Sequence, residues 1–505
     1  MEQPRGAAGP VVRTGQGRVE GRWSGDIAAF LAMPYAAPPV GELRFAPPQR
    51  PAPWEGTRPA DRPGIAAVQA PFPPETAIGR IFPQPLPGQG EDCLTVNVWT
   101  PAKDPGDRLP VMVWLHGGGF LIGAGSAPHY AGTELARRGD VVVVSLNYRL
   151  GALGYLHVPE HTTEANFGLQ DQIAALEWVQ ENIRAFGGDP DSVTLFGQSA
   201  GAYSILALGT VPHARRLFTR AIVQSAPIDE DHHGPDRAAE VTALFLDAAG
   251  IPGGDLHDLR ALSVDRLLHA QNETVRRWHQ PDFGASPFAP VADGGLLTTP
   301  PGRAALAGSL DHIELMIGCT TEEALFFPEV TALWDTDEAP RLPKDAAAYL
   351  RHAAQHPGEP PARLLSRVIT DTFAAHHFDI AEHRATTARP AYVYQWRHPC
   401  TGWYGRLGAC HCAELPFLFG NVADWRTSAL LEGTDPWDIR YLTEHTQNAW
   451  TAFARSGDPD PAGTLGWTPY TSDTRTVLAL DTPVKLLTTR TAVTSSHRDA
   501  PVPVT

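Results

Sequence analysis

The sequence predicts an α/β fold: one large, mainly parallel sheet with helices on both faces. Two observations carry that expectation. Compact Val- and Leu-rich runs recur along the chain, as in strands buried on both sides. Between them lie longer segments whose apolar residues return every three or four positions, the period of a helix.

The first hundred residues are rich in Pro and Gly and read as short strands and loops, with residues 34–51 the most broken stretch. Val111–His116 and Val141–Asn147 then read as buried strands. Leu169, Ile173, Leu176, Val179, Ile183 and Phe186 mark one face of a helix that Gly187-Gly188 stops. Val193–Phe196, Ile222–Ser225, Ile313–Cys319 and Ala391–Arg397 read as further strands, and Ala202–Leu208 as the start of a helix. The Ala- and His-rich stretches 236–280 and 344–388 read as helical insertions over the sheet. With no internal repeat and no separating linker, residues 1–505 are expected to form a single domain.

Bulk properties narrow the function. A net charge of −16 argues against nucleic-acid and anionic-membrane partners. The first residues hold no apolar run of the secretory kind, and no stretch approaches the ~18 apolar residues of a membrane span. Five cysteines (93, 319, 400, 410 and 412) are an odd and sparse set, suited to reduced thiols. A soluble, cytoplasmic protein is expected.

The central motif is Gly197-Gln198-Ser199-Ala200-Gly201, preceded by a β-rich run and followed by a helix start. A serine hydroxyl becomes a nucleophile when its oxygen projects clear of the backbone and a base takes its proton. A tight strand–turn–helix bend does the first, and the flanking glycines make room for it. The same five-residue pattern also occurs in plain Gly/Ser turns, so its context decides.

His116-Gly117-Gly118-Gly119-Phe120 follows the strand VMVWLH. Acyl transfer builds negative charge on a carbonyl oxygen, and amides of consecutive glycines can meet it unobstructed. Gly118, Gly119 and Ala200 are the expected donors. A phosphate loop is the alternative, but no Gly-Lys-Ser/Thr follows.

With these motifs, the chain resembles the type-B carboxylesterases from about Thr14 to Asp481. The marks are EDCLTVNVW at 91–99, HGGGF at 116–120, NYRLGALGYL at 147–156 and NFGLQDQIAALEWV at 166–179. FGGDPDSVTLFGQSAGA at 186–202 is the most specific. PVADG at 290–294, GACHCAELPFLFG at 408–420 and AWTAFARSGDPDP at 449–461 follow. The resemblance implies an α/β-hydrolase fold and a serine carboxylic ester hydrolase with nucleophile Ser199, acid Glu323 and histidine His411. The chain order Ser…acid…His is that of such enzymes.

Glu323 sits in Thr320-Thr321-Glu322-Glu323-Ala324, where the family usually reads Asp-Glu-Gly, so Ala324 bears on the local turn. Glu322 reads as a supporting or solvated acid. His411 lies between Cys410 and Cys412, but no second pair stands at zinc-ligand spacing, so neither metal nor cofactor is expected. The pairs His232-His233 and His376-His377 read as surface residues. Ser225 matches a buried serine that buttresses the triad in relatives.

In secreted relatives the counterpart of Cys93 closes a disulfide with an earlier cysteine. Residues 64–69 hold none here, so Cys93 is expected as a buried thiol. Loop 66–92 is expected to border the substrate gorge and to tolerate bulky groups, with Phe72, Phe82 and Phe120 as gorge aromatics. That loop holds no tryptophan, so the cation-binding indole of cholinesterases has no counterpart and a choline ester is not the expected substrate. The partner is then a small-molecule ester, with monomer or homo-oligomer left open. Two rival readings share these residues: an acyltransferase or cyclase using the same acyl-enzyme, and a catalytically silent binding homologue.

Overall fold

The computed structural model describes residues 9–488 apart from 84, 85, 87, 159–164, 229–233, 252, 279–285, 337–339 and 341–345. Among these, eleven strands form one sheet. They are β1 (Arg22–Ser24), β2 (Ile27–Pro34), β3 (Thr95–Thr100) and β4 (Leu109–Leu115). Next come β5 (Val142–Leu146), β6 (Gly188–Gln198), β7 (Arg220–Gln224) and β8 (Glu314–Thr320). Last are β9 (Tyr392–Trp396), β10 (Val477–Leu480) and β11 (Lys485–Leu487). Their spatial order is β11-β10-β9-β8-β7-β6-β4-β5-β3-β2-β1.

From β5 through β10 every neighbouring pair is parallel. The remaining pairings, at both edges, are antiparallel. The central strands are buried throughout, which is why they read as unbroken apolar runs rather than alternating ones. Two hydrophobic clusters occupy the two faces: Val111, Val113 and Leu115 of β4 point into one, Met112 and Trp114 into the other.

The strands and helices read from the central sequence are present, mostly within two residues of expectation. The exception is β6, which begins at Gly188, five residues before the apolar run. The helix before it, α1 (Phe167–Asn182), passes into a tighter turn (Ile183–Phe186) that Gly187 ends at φ 77°. A side chain seldom adopts that angle. The last two strands, β10 and β11, of four and three residues, carry too short a pattern to read.

The insertions are helical as expected. The first holds α3 (Pro235–Ala249), α4 (Leu256–Ala261) and α5 (Val264–Arg277), after α2 (Ala200–Leu208) of the sheet layer. The second holds α6 (Ala346–Gln355) and α7 (Pro361–Arg384). No helix among the described residues is long and apolar enough to cross a membrane. All five cysteines are buried free thiols, Cys93 included.

Candidate active site

Every candidate triad and oxyanion-hole residue lies beyond the C-terminal end of a parallel strand, where open α/β sheets place their binding crevices. The glycine run follows β4, Ser199 follows β6, Ser225 follows β7 and Glu323 follows β8. His411 lies beyond β9. These strands are neighbours in the sheet, so residues far apart in sequence meet at one edge.

Ser199 occupies the bend between β6 and α2 with φ 57° and ψ −125°, a strained conformation for a residue with a side chain. The flanking glycines are required by contact, not only by flexibility. A Cβ on Gly201 would lie 2.0 Å from Leu115 O, and one on Gly197 2.7 Å from Gly201 C. Ser199 N–H donates to Gln224 O at 2.9 Å, fastening the bend to β7.

The glycine loop abuts the serine: a Cβ on Gly117 would sit 3.1 Å from Ser199 Cβ. Gly118 and Gly119 have φ of 111° and 61°, so both amides face directions that a regular strand would not allow. Among the described residues, the N–H groups of Gly118, Gly119 and Ala200 donate no hydrogen bond. Gly118 and Gly119 are half-buried and Ala200 is buried, and their three uncommitted donors suit an anionic oxygen.

Glu323 is fully buried. Its Oε1 accepts from Ser225 Oγ at 2.6 Å and from Thr320 N–H at 2.7 Å, while Oε2 pairs with His411 Nδ1. A backbone bond from His411 N–H to Glu323 O, 3.1 Å, adds to the link. Burial alone would push the Glu323 carboxyl up. The His411 charge and the hydrogen bonds from His411, Ser225 and Thr320 outweigh it and hold the group below the ordinary glutamate value. Phe326, Phe327 and Phe373 surround the His411 ring with centroids 5.6–6.1 Å away. Among the described residues the Ser199 hydroxyl makes no hydrogen bond, so the serine-to-imidazole link is the one left unclosed. Such links often tighten only with substrate in place.

Glu322 turns away from this chain of contacts. It pairs with Arg363 and accepts from Ala409 N–H at 2.9 Å, stapling the histidine loop from outside. Ala324 is fully buried and is not among the residues with positive φ, so the backbone there accommodates a side chain.

Phe72 and Phe82 line an apolar cavity with Leu86, His129 and Tyr130, bounded by Gly117 and Gly118. Burial pushes the His129 imidazole down to about 3, so it is a neutral wall. Phe120 is instead buried against Tyr155 and Tyr203, with centroids 5.0 and 6.1 Å away. Among the described residues no group of three or more His, Cys, Asp or Glu could hold a metal ion.

One reading is overturned. His377 is 1% exposed, not a surface residue, and its Nε2 accepts from Ala226 N–H at 3.1 Å. The pair His232-His233 lies outside the described residues. Sequence reasoning also passed over Glu414, seen only as a register mark. It is buried and accepts from Gln224 Nε2 at 3.0 Å, and Gln224 is the residue whose carbonyl holds Ser199.

The chain is similar to known proteins over nearly its whole length. Residues 8–498 match the model of the carboxylesterase family. The para-nitrobenzyl esterase of Bacillus subtilis (strain 168) is 38% identical, covering 94% of this chain and 96% of its own. The phenmedipham hydrolase of Pseudarthrobacter oxydans is 36% identical over 93% and 95%. Among solved structures, a thermophilic PNB esterase superposes with TM-score 0.83 at 34% identity, covering 95% of this chain and 98% of its own. A carboxylesterase of Geobacillus stearothermophilus gives 0.80 at 32%, with the same coverage.

Proposed function

The chain belongs to the carboxylesterase family and is a carboxylic ester hydrolase of the α/β-hydrolase fold, and we propose that it works through an acyl-enzyme on Ser199. In this reading Ser199 Oγ attacks the ester carbonyl as His411 Nε2 accepts its proton. Glu323 keeps the opposite ring nitrogen protonated and stabilises the imidazolium as it forms. The amides of Gly118, Gly119 and Ala200 hold the oxyanion, each worth about 3 kcal/mol of transition-state stabilisation. The alcohol leaves with the proton from His411. Water then cleaves the acyl-enzyme, with His411 serving first as base and then as acid.

The observation that carries this reading is the contact between His411 Nδ1 and a carboxylate with no exposed surface. Placing a charge there is costly unless it has a partner that becomes cationic. Ser225 acts as the buttress of that carboxylate, and Glu322 supports the histidine loop from outside.

Small uncharged esters with an apolar group are the substrate class that fits the cavity lined by Phe72 and Phe82. The name of a relative, a para-nitrobenzyl esterase, points the same way. The reading also takes residues 1–505 as one domain and places the protein in the cytoplasm, in keeping with five buried free thiols.

A panel of p-nitrophenyl esters of increasing acyl length, run on wild type and Ser199→Ala, tests the proposal. Hydrolysis should fall by about 10^4-fold or more in the variant for every member of the panel. Turnover that survives the substitution contradicts it.

A further inference from the structure

We propose that His377 is a positioning residue of the ester-hydrolysing apparatus: from α7 it holds the strained Ser225–Ala226 turn that fixes Glu323 against His411. This rests on the assignment of Ser199, Glu323 and His411 given above.

Ser225 closes β7 with φ 50°, a left-handed region that is strained for a residue with a side chain. Such a conformation persists only where its surroundings fix it, and here three hydrogen bonds do. Ser225 N–H donates to Gly318 O at 2.8 Å, and Ser225 Oγ to Glu323 Oε1 at 2.6 Å. The next amide, Ala226 N–H, donates to His377 Nε2 at 3.1 Å.

The other ring nitrogen decides the tautomer. His377 Nδ1 lies 2.5 Å from Phe373 O, a carbonyl that can only accept, so Nδ1 carries the hydrogen and Nε2 is left as an acceptor. Both nitrogens are committed, which excludes a metal-ligand role. Burial pushes this imidazole down to about 4, opposed by the Phe373 hydrogen bond and Glu323 and aided by the neighbouring charges of His376 and His411. It stays neutral, and so an acceptor, across the range where the enzyme would work.

The inserted helix thus touches both ends of the acid–base pair. His377 holds the turn under Glu323, and Phe373, one helical turn earlier, packs against the His411 ring at 5.8 Å. Without the His377 acceptor, Ala226 N–H is buried and unpaired, and the turn can relax away from Glu323.

The test compares His377→Phe with His377→Gln, whose amide oxygen can reach the same N–H. With p-nitrophenyl butyrate, His377→Phe should lower kcat about tenfold with KM changed less than about twofold, and His377→Gln should recover most of the loss. In a Ser225→Ala background His377→Phe should cost nothing further, since the contact it supports is already gone. If the phenylalanine variant does not fold, His377→Asn, too short to reach Ala226, replaces it with the same expectation. Unchanged kcat, a loss shared equally by the Gln variant, or full additivity with Ser225→Ala overturns the proposal. Ser199→Ala is run in parallel: its full activity would overturn the triad reading itself, whereas a dead Ser199→Ala beside an unaffected His377→Phe overturns only the role of His377.

Discussion

Two buried glutamates close to His411 show how local partners decide charge. Glu323 has an imidazole, a hydroxyl and an amide around it and is held below the ordinary carboxylate range despite its burial. Glu414 is equally buried, but Gln224 is its side-chain donor and among the described residues its other oxygen has no hydrogen-bond partner, so burial lifts it to about 7. The linkage follows from the sign of that shift. Between about pH 4.3 and 7 the folded chain keeps the Glu414 proton while the unfolded chain releases it, so stability falls as pH rises through that window. Glu414→Gln removes the penalty, on the order of 3 kcal/mol once both states are ionised. Its Tm should exceed that of wild type at pH 8 and show no such gain at pH 4.5. An equal change at both pH values contradicts a raised Glu414. Neither this residue nor His377 was legible as chemistry in the sequence. Ser199, Glu323 and His411 stand in motifs whose spacing reflects local backbone geometry, whereas a histidine on an inserted helix acquires its role only by meeting a strand end 151 residues away.

At the scale of elements, the β6–α2 bend and the glycine loop after β4 depend on glycine for different reasons. Gly201 is packed: any Cβ runs into the backbone of β4. Gly119 is open, with nothing within 4 Å of where a Cβ would stand, and only its φ of 61° is special. Gly201→Ala should therefore cost about 3 kcal/mol or more, lowering Tm and activity together. Gly119→Ala keeps its N–H and meets no obstruction, so it should cost only about 1–2 kcal/mol and fold well, and any drop in kcat would report that amide turning away as φ relaxes. A Gly119→Ala variant that loses as much Tm as Gly201→Ala contradicts this contrast. The bend and the loop were legible because both are written in glycines next to apolar runs. The length of β6 was not: its first five residues, Gly188-Asp-Pro-Asp-Ser, look like a turn, and of these only Gly188 pairs with β4, opposite Leu109, before an irregularity that ends at Val193. Phe120 stands apart from Phe72 and Phe82. Its φ of 61° swings the side chain toward Tyr155 and Tyr203, a direction that sequence adjacency to the glycines does not reveal.

For the whole molecule, the parallel sheet is what converts chain order into a site. Strands β4, β6, β7, β8 and β9 are consecutive neighbours, and each contributes its C-terminal loop to one edge. Gly118, Gly119, Ser199, Ser225, Glu323 and His411 are thereby brought to that edge from distant parts of the sequence. From the second insertion, α7 reaches that edge through His377 and Phe373. The central claim is that one hydroxyl, at the β6–α2 bend, carries the acyl group. Covalent labelling with a small fluorophosphonate, read by intact mass and peptide mapping, tests it most directly. A single adduct should appear on the peptide containing Ser199, and His411→Ala should slow its formation by at least about 10^3-fold. An adduct on a different serine, or rapid labelling that ignores the loss of His411, would contradict it.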